Sequence, residues 1–169
     1  QDWLVPDDAF GPKSTGWLDG FNTFPEVLAK SGYQCGMAGK WHMGHDDTAQ
    51  HGFTYWATVP GGGGTFKNAV YVKNGVTTPY PGFKEDAIGD FSLEFLAKQK
   101  PDSPFYLQVP FYAPHTPFDF QPEEDRKHYT EASLSCFPDT PKHPNQNPGL
   151  AQHHGNNASK TSYFALISG

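Results

Sequence analysis

Apolar residues recur at i, i+3 and i+4 in Phe24, Val27 and Leu28, a spacing that predicts a short helix with one apolar face. Thr23 with Glu26 three residues on forms a capping box that starts this helix, and Ser31-Gly32 supplies its stop. Tyr33 to Ala38 then predicts a short strand, with Gln34, Gly36 and Ala38 small or polar between larger residues. Ala69–Lys73 and Val76–Thr78 flank Asn74-Gly75, the strongest local signal for a two-residue hairpin. Ile88, Phe91, Phe95 and Leu96 lie at helical spacing and predict an amphipathic helix over 84–99 despite Gly89. Phe105 to Pro110 is apolar or aromatic on both faces, which predicts a central strand. The remaining stretches read as irregular: residues 1–22, anchored by Trp3, Leu4 and Trp17, residues 43–65, and the proline-rich chain from Ala113 to the final aromatic stretch.

The order helix, strand, hairpin, helix, strand predicts an α/β fold, a mainly parallel sheet with flanking helices in a loop-rich chain. Ligands of such sheets sit beyond the carboxyl ends of the strands. Lys40 and His42 follow the first strand and His115 follows the second, so both units aim polar groups at one edge. Neither a domain boundary nor an internal repeat is evident over residues 1–169. The chain opens at Gln1 and stops at Gly169 part-way through what reads as an element, so a fragment of a larger domain is expected.

Composition narrows the function classes. Twelve basic against eighteen acidic residues give a net charge of −6, which argues against a nucleic-acid partner. An anionic substrate would therefore need a locally positive pocket. A mean hydropathy of −0.63 fits a chain with 18 Gly and 16 Pro, in which loops take much of the length. Aromatic residues, at 15%, offer core volume from few positions. No apolar run approaches the roughly 18 residues that a membrane span requires, and no signal-peptide pattern is read in these residues, which a truncated start would have removed. Cys35 and Cys136 define no disulfide framework and read as two buried free thiols. Asn157-Ala158-Ser159 is a formal glycosylation acceptor, a triplet that arises often by chance.

Chemistry concentrates in two places. Lys40 and His42 are two apart in Gly39-Lys40-Trp41-His42-Met43-Gly44, so in extended backbone they share a face while Trp41 points the other way into packing. A lysine ammonium brings a point charge with three donors, and an imidazole brings a donor or a general acid or base near neutral pH. One tetrahedral anion could touch both. His115 is held between Pro114 and Pro117, which restrict the backbone and help fix its direction. Elsewhere the bland readings prevail. Gly61 to Gly64 lacks the Lys-Ser/Thr of a phosphate loop, Asp46-Asp47 reads as a solvated pair, and His143 with His153-His154 has no zinc-site spacing.

The Gly-Lys-Trp-His-Met-Gly run, preceded by a helix, Gly32-Tyr33 and a short strand, resembles a signature of the sulfatases, the formylglycine-dependent sulfate ester hydrolases of the alkaline-phosphatase-like superfamily. The apolar run 105–112 leading into Ala113-Pro114-His115-Thr116-Pro117 is similar to a second sulfatase motif at about the usual distance. Looser resemblances are His51-Gly52-Phe53, with Thr54 where Asp is usual, Asp86-Ala87-Ile88 followed by Phe95-Leu96, and the terminal 162–168. The match is best over residues 23–120, and the chain as a whole, 1–169, resembles a central fragment of a sulfatase catalytic domain.

The resemblance implies hydrolysis of a small-molecule or carbohydrate sulfate ester. In it Lys40 would hold a sulfate oxygen, His42 would stabilise or deprotonate the formylglycine hydrate, and His115 would contact the sulfate near the leaving oxygen. It also implies a divalent cation, usually calcium, and a formylglycine made from the Cys or Ser of Cys-x-Pro-Ser-Arg. Cys35 lacks that motif, Cys136 shares only its Cys-x-Pro spacing and lies downstream of both histidine motifs, and Asp7-Asp8 is a poor match to the family's metal-binding pair. Neither cofactor is therefore ligated or encoded by these residues, and the chain alone is expected to be inactive. The resemblance favours a periplasmic or secreted protein. Two other readings stay open: a phosphodiesterase or phosphonate monoester hydrolase on the same scaffold, and a non-catalytic binding module.

Overall fold

A computed structural model of the chain describes residues 14–118, 120–138 and 140–169. It divides into two compact units, the first running to Tyr112 and the second spanning Ala113–Gly169. The sequence shows no such boundary.

In the first unit, α1 (Phe24–Lys30) starts as its capping residues predict. The Glu26 carboxylate accepts from the Thr23 backbone N–H at 2.9 Å and from its hydroxyl at 3.2 Å. The backbone N–H of Thr23 is the main cause holding the Glu26 carboxyl below its ordinary range. Gly32, at φ +90°, turns the chain into β1 (Gln34–Gly39) by taking the left-handed position that glycine tolerates. β1 lies between β2 (Tyr55–Thr58) and β5 (Phe105–Gln108) and is parallel to both. The hairpin β3 (Val70–Lys73) and β4 (Val76–Pro79) turns at Asn74-Gly75, both at positive φ, and β3 pairs with β2 antiparallel.

The result is a five-stranded sheet in the order β4-β3-β2-β1-β5. The α/β expectation holds, and the sheet is mixed: parallel around β1, antiparallel where the hairpin extends it. β5, expected to be central from its two apolar faces, pairs only with β1 among the described residues and is half-buried apart from the exposed Phe105. Strand order is a long-range property that apolar content alone does not encode.

Two cores flank the sheet because side chains alternate across it. Cys35 and Met37 of β1 and Trp56 of β2 point to one face, where Leu28 and Ala29 of α1 pack on them. Ala38, Tyr55 and Ala57 point to the other, against Ala87, Ile88, Phe91 and Phe95 of α2 (Lys84–Ala97). Gly36 has no room for more than hydrogen, since a Cβ there would stand 2.7 Å from the Phe95 ring. β2 and the 3-10 turn Pro60–Gly62 fall inside a stretch read from sequence as loop. All four residues of β2 are buried, with apolar groups on both faces, so no alternation marks it.

The second unit contains three helices among its described residues: α3 (Glu123–Glu131) and α4 (Pro148–Ala151), where sequence reading expected irregular chain, and α5 (Asn157–Ser168), whose part 162–168 the resemblance marks as the start of a helix. Pro122 and the acidic first turn Glu123-Glu124-Asp125 are the helix-start signal that was there to be read. α3 and α5 pack through the stacked rings of Tyr129 and Phe164, centroids 5.5 Å apart, and a Tyr129–Ser168 hydroxyl bond of 2.8 Å. Both thiols are free, but only Cys35 is buried and Cys136 is exposed, which corrects the expectation of two buried cysteines. No helix among the described residues is long and apolar enough to cross a membrane.

Candidate functional site

From Gly39, the last residue of β1, the chain leaves the strand as an irregular segment that bends at Met43-Gly44, and its backbone explains its glycines. The Lys40 N–H donates to the Pro110 carbonyl at 2.8 Å. Gly39 reaches that approach at φ +132°, and a Cβ on it would lie 2.2 Å from the same carbonyl oxygen. Gly44, at φ +75°, lies as close against the Thr15 carbonyl, where a Cβ would come to 1.8 Å. Neither position accepts a side chain without moving backbone.

Trp41 points into the core, as its spacing predicts. Its ring meets Trp56 edge-on at 5.1 Å and Phe53 at 6.3 Å, and its Nε1–H donates to the Gly44 carbonyl at 2.6 Å. The indole thus braces the segment from inside. The two residues beside it face outward to different degrees: Lys40 is half-buried and His42 is exposed.

Lys40 is not alone. Its Nζ lies 5.1 Å from the centre of the Tyr112 ring, and the Nζ of Lys84 lies 3.9 Å from the same ring. Lys84 is fully buried, at 0% exposure, and donates to the carbonyls of Gly63 at 2.9 Å and Gly64 at 3.2 Å. Burial drives its pKa down to about 8, opposed by the neighbouring Glu85 and reinforced by Lys40. Two ammonium groups thus share one aromatic ring near the end of β1, and the Glu85 carboxylate accepts the Tyr112 N–H beside them.

The glycine run is packed rather than loose. Gly62, at φ +61°, abuts this segment so closely that a Cβ would stand 2.6 Å from the Trp41 carbonyl and 3.0 Å from the His42 ring. Gly61 N–H donates to the Asp46 carboxylate, and the Asp46 carbonyl accepts from Trp56 Nε1 at 2.8 Å and Thr58 Oγ1 at 2.9 Å. Asp46 is therefore buried and bonded, not half of a solvated pair.

Sequence reading missed Lys84, Tyr112 and Asp46. For Lys84 a signal existed: with Ile88, Phe91 and Phe95 it falls at i, i+4, i+7 and i+11, on the apolar stripe of α2. A lysine on such a stripe must find internal acceptors.

The depressed Lys84 pKa fixes a pH dependence. Between about 8 and the ordinary 10.5, the unfolded lysine holds a proton that the folded one has released, so stability rises with pH across that window. The stabilisation is complete above 10.5 and is lost as pH falls through 8, an effect of about 3 kcal/mol. Denaturant unfolding of the protein and of Lys84→Met from pH 7.5 to 10.5 is expected to show the wild type improving relative to the variant by that amount. A constant difference would mean that Lys84 is not held in a desolvated site.

His115 belongs to the second unit. It is exposed, and its Nδ1–H donates to the Thr116 carbonyl at 2.6 Å. The peptide bonds before Pro114 and Pro117 are both cis.

No three His, Cys, Asp or Glu side chains gather among the described residues, and Asp7-Asp8 lies outside them. Cys35 is fully buried, its Sγ is 3.6 Å from the Pro25 carbonyl, and burial pushes its thiol pKa up, so it is a packing residue rather than a nucleophile.

The family model described as Sulfatase matches residues 10–166. The N-acetylglucosamine-6-O-sulfatase of Bacteroides thetaiotaomicron is 30% identical over 95 residues, which are 55% of this chain and 16% of that protein. A Bacteroides thetaiotaomicron structure described under the metabolism of multiple glycosaminoglycans superposes with a TM-score of 0.70 at 20% identity, covering 89% of this chain and 36% of that one. A structure in complex with its substrate D-glucosamine-2-N,6-O-disulfate superposes with a TM-score of 0.58 at 25% identity, covering 70% and 23%. The chain spans well under half the length of each of these proteins.

Proposed function

The chain belongs to the sulfatase family, and from that premise we propose that it forms part of an enzyme hydrolysing the sulfate ester of a sulfated carbohydrate, with Lys40, His42 and His115 contributed by this segment. The observation that carries the reading is the segment from Gly39 to Gly44, which holds an ammonium and an imidazole at the carboxyl end of β1 with a second ammonium behind Tyr112. The relative acting on N-acetylglucosamine-6-O-sulfate and the neighbour bound to a disulfated glucosamine point to an amino-sugar sulfate as the class of substrate.

Each residue has a physical task. The Lys40 ammonium binds a sulfuryl oxygen, where negative charge grows as the S–O bond breaks. His42, exposed beside it, donates a hydrogen bond or takes a proton from the attacking group. His115 contacts the sulfate near the leaving sugar oxygen, where a ring N–H can donate a hydrogen bond as the S–O bond breaks. The work assigned to these residues is binding and proton handling.

The test compares matched esters with the intact protein. A 6-O-sulfated N-acetylglucosamine is expected to be turned over with a kcat/KM at least about a hundredfold above that of the corresponding phosphate monoester or diester. The 169-residue chain alone is expected to turn over neither. Preference for the phosphate would replace this reading with a phosphoester hydrolase on the same scaffold, and inactivity of the intact protein toward every ester would leave a binding module.

A further inference from the structure

We propose that Lys84 is a positioning residue of the anion site: its ammonium ties down the carbonyls of Gly63 and Gly64 and underlies the Tyr112 ring, thereby seating the glycine loop behind His42 and the aromatic support beneath Lys40. The inference rests on the reading of Lys40 and His42 as sulfate-binding groups and assigns a role to a residue that touches no substrate.

A fully buried ammonium is unfavourable unless its protons are bonded, and a methionine of similar length would pack α2 with no such burden. The burden falls where a loop most needs an external tie. Gly61, Gly62 and Gly64 all stand at positive φ, and four consecutive glycines have more backbone freedom to lose than any other tetrapeptide. With no side chains of its own, this loop keeps one conformation only through bonds to its backbone. Asp46 takes the Gly61 N–H and Val59 the Gly62 N–H at 3.0 Å, while Lys84 takes the next two carbonyls.

The loop so fixed lies directly against the site, since Gly62 leaves no space for a Cβ beside the Trp41 carbonyl and the His42 ring. Lys84 is itself rigidly placed. Its N–H donates to Phe66 O at 2.7 Å and its carbonyl accepts from the Tyr71 hydroxyl at 2.8 Å. The next residue, Glu85, accepts the Tyr112 N–H at 3.3 Å. The first turn of α2 thus holds both the ring beneath Lys40 and the loop behind His42.

The experiment uses the intact protein with 6-O-sulfated N-acetylglucosamine. Lys84→Met is expected to lower kcat by about 10- to 100-fold, with KM changed less than about threefold, because misplacing groups that act on transition-state charge costs rate more than binding. Gly62→Ala, which pushes on the His42 side of the loop with Lys84 intact, is expected to give the same split and serves if Lys84→Met does not fold. Lys40→Ala is the control. If it abolishes activity while Lys84→Met or Gly62→Ala keeps kcat per folded molecule within about twofold, the positioning role is overturned and the sulfate reading stands. If Lys40→Ala is itself without effect, it is the sulfate reading that falls.

Discussion

Replacing Lys40 with alanine in the intact protein is expected to lower kcat for a sulfated sugar by about a hundredfold or more, with little change in stability. The size of the effect follows from preorganisation. The Lys40 backbone is pinned by its N–H bond to Pro110, and its ammonium lies over Tyr112, so the charge is in place before substrate arrives. A cation that need not reorganise helps the developing charge on the sulfuryl oxygens far more than mobile solvent does. Lys40 is only half-buried and lies outside both core clusters, which is why folding should tolerate the change. Lys40→Arg is expected to recover only part of the rate, since a planar guanidinium cannot place its charge where a compact ammonium does. The measurements are kcat, KM and the unfolding midpoint of each variant. A Lys40→Ala enzyme that retains most of its rate would remove Lys40 from the site.

How much of this was legible in the chain depended on whether the signal was local. The Thr23–Glu26 box and the Asn74-Gly75 turn specify their own conformations within a few residues, and both formed as read. The segment from Gly39 to Gly44 was legible for a related reason, because each position meets a strict local requirement: glycine where Pro110 and Thr15 press close, and tryptophan where an indole must reach the Gly44 carbonyl. Long-range pairing was not legible. β2 is four buried residues without alternation, β5 lies at the sheet edge despite two apolar faces, and both facts depend on which strands meet.

Buried polar residues failed for a third reason. Asp46 and Lys84 carry charges that ordinarily read as solvated, and only the tertiary structure brings the Gly61 N–H to one and the Gly63 and Gly64 carbonyls to the other. The glycine run looked like a flexible connector because its order comes entirely from these partners. The part of the candidate site that the sequence marked is therefore the part with its own side-chain signature, and the part it left unmarked is the scaffold behind it.

Trp41→Ala is expected to be the most destabilising single change in the segment from Gly39 to Gly44, at about 3 to 5 kcal/mol. The indole is 7% exposed and fills the space between Trp56 and Phe53, so truncation leaves a cavity that the surrounding rings cannot close without giving up their edge-on contacts. It also strands the Gly44 carbonyl, which accepts the Trp41 Nε1–H in a buried position. Trp41→Phe separates the two contributions, since it keeps most of the packing and loses the hydrogen bond, and about 1 to 3 kcal/mol of the loss should remain. Denaturant unfolding followed by circular dichroism measures both. The contrast with Lys40→Ala is the informative part: adjacent residues in one segment should divide cleanly, one lowering rate at nearly constant stability and the other lowering stability first. If Trp41→Ala unfolded at the wild-type midpoint, the segment would not be held from the core side, and the preorganisation that gives Lys40 its expected effect would lose its structural basis.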